Sequence, residues 1–161
     1  MKATDILREQ HRTVERLLDK IHADSEAVHR RLLLDETSKH LRIHMLLEER
    51  IFYPAVREAI RPEASTGIVP TAYEEHEAVK MVLDSLADVD PFDQQFMAKV
   101  HVIKQLLHHH VREEESVMFP IAEKLGPERL EDLGRHMEAH FSARAEEVYD
   151  PDTYGLGDID R

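Results

Sequence analysis

The chain contains no cysteine. That absence removes disulfides, thiolate nucleophiles, iron–sulfur clusters and Cys-ligated zinc together, so any metal must be held by nitrogen and oxygen. It also fits a reducing cytoplasm, which is the expected location. No apolar run approaches the ~20 residues a bilayer crossing needs, and Met1 to His11 lacks the apolar core of a secretory leader. The expectation is a soluble, unexported protein with no membrane role. Basic residues are outnumbered, 21 Lys and Arg against 33 Asp and Glu, and the net charge of −12 repels phosphate backbones and anionic headgroups. A general nucleic-acid partner is therefore not expected.

Glycine and proline are scarce, 5 and 7 in 161 residues, and no stretch reads as a strand. Apolar residues instead recur at three- and four-residue steps, the signature of long amphipathic helices. Helix one is expected to start near Thr4 or Asp5 with Leu7, Val14, Leu18 and Ile21 on one face. A longer second helix follows to about Ile60, and Arg61 to Pro70 reads as a central linker. A third helix runs to about Asp88. Asp90-Pro91-Phe92-Asp93 offers an N-cap, an N1 proline and an acidic N3 residue, so the fourth helix is expected to open there and to close before Gly126-Pro127. A fifth spans roughly Glu128 to Tyr149, and a polar tail, 150–161, is expected to be poorly ordered. One bundle domain over 1–149 follows.

What the chain has in excess is histidine: 12, more than its 5 Phe and 4 Tyr combined. Imidazole fills space poorly and is costly to bury unless its nitrogens are satisfied. The histidines also repeat. His44 to Pro54 (HMLLEERIFYP) and His110 to Pro120 (HVREEESVMFP) share H-x3-E-E-x4-P at an offset of 66, and His11, Val14, Leu18 match His76, Val79, Leu83 at an offset of 65. Two copies of a helical hairpin, each with a wet apolar stripe if alone, are expected to pack as an up-down antiparallel four-helix bundle with the fifth helix appended.

On the apolar seams a histidine or glutamate replaces a core hydrophobe at His11, His44, Glu48, His76, His110 and Glu114; on helix four the seam runs on through Val117 and Ile121. In an up-down bundle these six fall at one level. Two buried carboxylates without a cation repel each other and lose hydration, and a pair of metal ions removes that penalty. The i, i+4 spacing puts the His and Glu of each motif one turn apart on one face. The donor set suits iron or manganese, and imidazole also accepts zinc. A plain bundle with hydrogen-bonded core histidines is the competing reading; it fits any one of these residues better than all six in register.

The pattern H…HxxxE…H…HxxxE, met by His11, His44-Glu48, His76 and His110-Glu114, resembles the hemerythrin-like, or HHE cation-binding, family over about Asp5 to Glu123. The resemblance implies a non-haem di-iron site with a bridging oxo or hydroxo group, Glu48 and Glu114 bridging, His11 and His44 on one ion, His76 and His110 on the other. Oxygen-carrying members have a further histidine four residues after the third-helix histidine, where this chain has Lys80. That departure points away from simple O2 carriage. The chain looks more like the bacterial single-domain hemerythrin-like proteins, and that resemblance implies binding and turnover of a small oxidant (O2, H2O2 or NO), with a non-catalytic redox, oxygen or iron sensor or iron-holding module acting through a partner as the alternative.

Other residues are weighed and set aside. His40 is either a donor behind the site or a surface histidine, the latter preferred. His101, His108 and His109 fall off the seam, and His136 and His140 lack repeat partners. Glu49 and Glu115 point outward by helical phase, as part of a charged face with Glu113, and Glu15 has Lys80 as its repeat partner. Tyr53 and Phe52 follow the first motif by about a turn; a phenol there could hydrogen-bond a bridging group or carry a radical, and packing is the preferred reading for both. Pro54 and Pro120 are expected to kink their helices just beyond the site.

Overall fold

The computed structural model describes residues 1–60 and 67–148. It is all-α among those residues, a four-helix bundle with a fifth helix against it. Helix α1 is Ala3–Ala23. Helix α2 is Ala27–Leu47 and runs on through a π-helical turn, Glu48–Phe52, into a further α stretch, Tyr53–Ala59. Helix α3 is Ile68–Leu86. Helix α4, Gln94–Glu113, likewise continues through a π turn, Glu114–Met118, then Phe119–Ala122 and a 3-10 turn, Glu123–Leu125. Helix α5 is Pro127–Val148. The proposed tail, Tyr149 and positions 61–66 of the expected linker lie outside the described residues.

Each hairpin packs first on itself, α1 on α2 and α3 on α4, and the hairpins then join through α1 with α4 and α2 with α3. Helix α5 lies on α1 and α2. The approach is close enough that a Cβ on Gly134 would lie 2.1 Å from the Met1 carbonyl oxygen, so only glycine fits there. Gly126, at φ 85°, ends the 3-10 turn in a conformation other residues avoid.

Two apolar cores stack along the bundle. One holds Leu7, Phe52, Tyr53, Phe119, Leu130 and Met137. The other holds Leu18, Leu41, Met45, Leu83, Phe96 and Ile103. Within α1, His11 falls between Leu7 of the first core and Val14 of the second, and this is the level at which the chemistry sits.

Three sequence expectations shift. Helix α3 already begins at Ile68, so Pro70 occupies its first turn rather than the linker. The cap of α4 is Asp93, whose side chain accepts from the Gln95 N–H, while Asp90 accepts from the Phe92 N–H in a preceding turn. Two acidic residues each took a separate turn, which the Asp-Pro signal alone could not apportion. On α4 the buried seam moves from the expected Val117, which is 43% exposed, to Met118, which is 2% exposed. The extra residue in the π turn advances the helical phase by one position. Pro54 and Pro120 sit just after these turns and lack an N–H, so each withdraws a donor from the preceding turn; at Pro54 the Tyr73 hydroxyl donates to the Glu49 carbonyl instead, at 3.0 Å.

Candidate metal centre

His11, His44, Glu48, His76, His110 and Glu114 are all buried, and the bundle brings them together in one cluster. Glu48 lies between two imidazole pairs. Its Oε1 is 2.9 Å from His44 Nε2 and 3.7 Å from His11 Nε2; its Oε2 is 3.0 Å from His76 Nε2 and 3.7 Å from His110 Nε2. Glu114 Oε2 spans the pairs crosswise, 3.1 Å from His11 Nε2 and 3.8 Å from His110 Nε2. Donor atoms ~2.1 Å from a common ion sit roughly 3 Å apart, and these spacings scatter around that value. Within this cluster two groups converge closely enough to hold an ion, His11, His44, Glu48 and Glu114, and Glu48, His76 and His110; among the described residues a third such group, Glu75, His109 and Glu113, lies at the surface.

The polar atoms inside are short of partners. His11 Nε2, Glu48 Oε1 and both oxygens of Glu114 are buried with no hydrogen bond, close to their neighbours in distance but not in hydrogen-bond geometry. Buried carboxylate oxygens in that condition are costly, and cations are the partner they fit. The outer nitrogens, by contrast, are all engaged. His11 Nδ1–H donates to Glu115 Oε1 at 2.8 Å and His76 Nδ1–H to Glu49 Oε1 at 2.8 Å. His44 Nδ1–H donates to Gln10 Oε1 at 2.8 Å and His110 Nδ1–H to Glu75 Oε2 at 2.7 Å. Acceptors behind every Nδ1 hold that nitrogen's proton and orient each ring with its Nε2 facing the cluster, where an ion can replace any proton on it.

A family model, the hemerythrin HHE cation binding domain, matches residues 2–122 of this chain, the span that contains all six residues. The chain belongs to the hemerythrin HHE cation-binding family. A hemerythrin HHE cation binding domain-containing protein from Mycobacterium kansasii has a crystal structure that superposes with a TM-score of 0.79 at 29% identity, covering 96% of this chain and 94% of that one. An uncharacterised Mycobacterium tuberculosis protein is 28% identical over 99% of this chain and 98% of its own length. A protein named DNA nickase from Nostoc is 25% identical over 86% of this chain, which spans only 39% of that relative.

In this HHE domain the charges are arranged around the cluster in a definite order. Burial raises the Glu114 carboxyl, and the facing Glu48 carboxylate adds to it, to about 7. Burial also acts against Glu48, but His44 and the nearby imidazoles of His11 and His110 hold it well below its ordinary value. Without a metal the carboxylate pair thus keeps a proton, on Glu114, until the pH passes about 7. Burial lowers His44 to about 4. For His110 burial is outweighed by Glu48, Glu75 and Glu114, which lift it to about 10, and carboxylates likewise lift His11 well above 6.5.

Two sequence expectations are corrected at the site. Glu49 and Glu115 are not merely a charged face, because each turns its carboxylate onto the Nδ1 of a histidine across the bundle. Tyr53 is more than packing: its hydroxyl donates to Glu48 Oε2 at 3.3 Å and lies 3.0 Å from His76 Nε2. Burial and the surrounding carboxylates push its pKa up, so it stays a protonated donor. Its repeat partner, Phe119, stacks on the His11 ring, 6.1 Å between centroids. Gln10 and Glu75 were missed outright, although the repeat could have raised them, since each precedes a first-position histidine by one residue.

The residues set aside lie outside the buried cluster, though His109 reaches Glu75, the acceptor behind His110, at 3.4 Å. His101, His108, His109, His136, His140, Glu15 and Glu113 are exposed, and the His40 ring sits 6.3 Å from Phe141. Lys80 Nζ pairs with Glu49 and Glu77, at 3.1 and 3.0 Å.

Proposed function

We propose that this HHE domain holds two iron ions, one at His11 and His44 and one at His76 and His110, with Glu48 and Glu114 shared, and that it binds and turns over a small oxidant. The observation that carries the reading is the set of orphaned carboxylate oxygens facing four Nε2 atoms in an apolar interior. The nitrogen and oxygen donor set, free of sulfur, suits iron. Two irons held there would supply electron exchange with O2, H2O2 or NO.

The chain's own residues supply the rest. Four imidazoles and two carboxylates give each ion few enough protein donors to admit an outside ligand, and Lys80, tied to Glu49 and Glu77, is the residue standing where an additional histidine would close one position. Glu48 and Glu114 are themselves buried, between the two apolar cores, which keeps bulk water from the carboxylates. Tyr53 Oη offers a proton beside Glu48 and His76. Net charge −12 argues against carrying over DNA as a substrate from the nickase relative.

The test is reconstitution of metal-free protein with ferrous iron under anaerobic conditions, followed by rapid mixing with H2O2, NO or O2. Consumption of at least one of these well above the same concentration of free iron is expected. Two bound irons with no consumption above that control would defeat the turnover reading and leave a sensor, whose oligomeric state or partner binding would then follow redox state.

A further inference from the structure

The two halves of the centre are built alike but are not charged alike. Counterparts 65 or 66 residues apart carry the same chemistry at His11 and His76, His44 and His110, Glu48 and Glu114, and Glu49 and Glu115. The imidazoles of the first pair are backed identically, Glu115 on His11 and Glu49 on His76, both at 2.8 Å. The second pair is not. His110 Nδ1–H donates to the carboxylate of Glu75 at 2.7 Å, whereas His44 Nδ1–H donates at 2.8 Å to the amide oxygen of Gln10, the repeat counterpart of Glu75. Geometry is conserved between the halves and the charge is lost in one.

A carboxylate behind an imidazole N–H polarises the ring and makes its other nitrogen the stronger donor, and a hydrogen bond to a charged acceptor is roughly twice as strong as one to a neutral one. His44 is therefore the weakest-backed of the four rings. A second observation falls on the same side. Gln10 lines a groove of about 290 Å³ between α1, α2 and α5, with Ile6, Thr13, His40, Met137 and Phe141. A neutral amide is thus the layer between that groove and His44. Glu75 is instead tied on its outer oxygen to His109, at 3.4 Å.

We propose that Gln10 is a positioning residue that weakens His44 as a donor and makes the His11/His44 position the one that loads last and empties first, with the groove above Gln10 as its route. This rests on the two-metal reading. Glu114 leans the other way, closer to His11 than to His110 by 3.1 against 3.8 Å, so exchanging the backing groups tests the idea more sharply than the order of release in the unaltered protein.

The experiment loads metal-free protein with ferrous iron anaerobically, counts the bound ions, and then follows their transfer to an excess of a coloured ferrous chelator. Two phases of equal amplitude are expected. Gln10→Glu should slow the fast phase by roughly 10–100-fold and leave the slow one in place, the scale on which outer partners change metal affinity. Glu75→Gln should accelerate the slow phase until release is nearly uniform, and it tests the idea independently should Gln10→Glu not fold. Thermal melts of the metal-free variants separate this from a merely structural role, which would shift the melt without selecting a phase. Two ions leaving the unaltered protein in a single phase, Gln10→Glu acting on the slow phase, or neither variant changing release would overturn the proposal. Fewer than two ions bound per chain would overturn the two-metal reading beneath it as well.

Discussion

Replacing Glu114 by glutamine should make the metal-free protein more stable and the metal-bound protein less so. The carboxyl is 1% exposed and has no hydrogen-bond partner for either oxygen. Carrying it from its ordinary 4.5 to about 7 corresponds to about 3 kcal/mol against the ionised form in the folded state. The folded chain keeps that proton over the window from 4.5 to about 7, where the unfolded chain has lost it. Metal-free stability therefore declines as pH rises through the window, and the full penalty stands above it. Glutamine carries no charge to bury but weakens the contact with His11 by about 1 kcal/mol, so the net gain near pH 8 is about 2 kcal/mol. For a chain of this size that is a rise of roughly 4–8 °C in Tm. Calorimetry of chelator-treated proteins near pH 8 and near pH 5 measures it, and the gain should shrink at the lower pH, where the folded chain still holds the Glu114 proton and only the first part of the penalty has developed. Added ferrous iron should reverse the order, since an ion at a hundred times its Kd stabilises by about 2.7 kcal/mol. If Glu114→Gln lowers the metal-free Tm near pH 8, or if iron stabilises both proteins equally, the reasoning from an uncompensated buried carboxylate is wrong.

Three further outcomes follow. Tyr53→Phe makes the second half resemble the first, where Phe119 stands; it should cost about 1 kcal/mol of stability while changing the absorption spectrum of the oxidised iron-loaded protein, and an unchanged spectrum would remove the hydroxyl from the centre. Loading should release protons and tighten as pH rises from about 6 to 8, because His110 and His11 are lifted and Glu114 sits at about 7, so the donors are protonated until the ion displaces them; titration calorimetry in buffers of different ionisation enthalpy reads the count, and pH-independent affinity would contradict it. Gly134→Ala should push α5 from the Met1 backbone and cost about 1–3 kcal/mol, seen as a lower Tm.

Much of the architecture can be read from the chain because its signals are local and repeated. The three- and four-residue steps through Leu7, Val14, Leu18 and Ile21 give α1 its buried face directly, and the repeat of HMLLEERIFYP in HVREEESVMFP marks His44, Glu48, His110 and Glu114 as polar residues in core positions. What escapes is set by contacts between helices. Glu49 and Glu115 look outward on their own helices and are claimed by histidines of α3 and α1; Gln10 and Glu75 belong to α1 and α3 but act on α2 and α4. The π turns are the other hidden feature. A one-residue phase change puts Met118 inside where regular spacing puts Val117, and it carries Tyr53 Oη to Glu48, because a 3.6-residue period projected through Glu48 or Glu114 cannot register the inserted residue.

The most direct measurement is anomalous diffraction at the iron edge from crystals of the iron-loaded protein. The account predicts two peaks inside the bundle, one beside His11 and His44 Nε2 and one beside His76 and His110 Nε2, with Glu48 and Glu114 between them. An interior without peaks, or Glu48 and Glu114 turned away from it toward solvent, would contradict it.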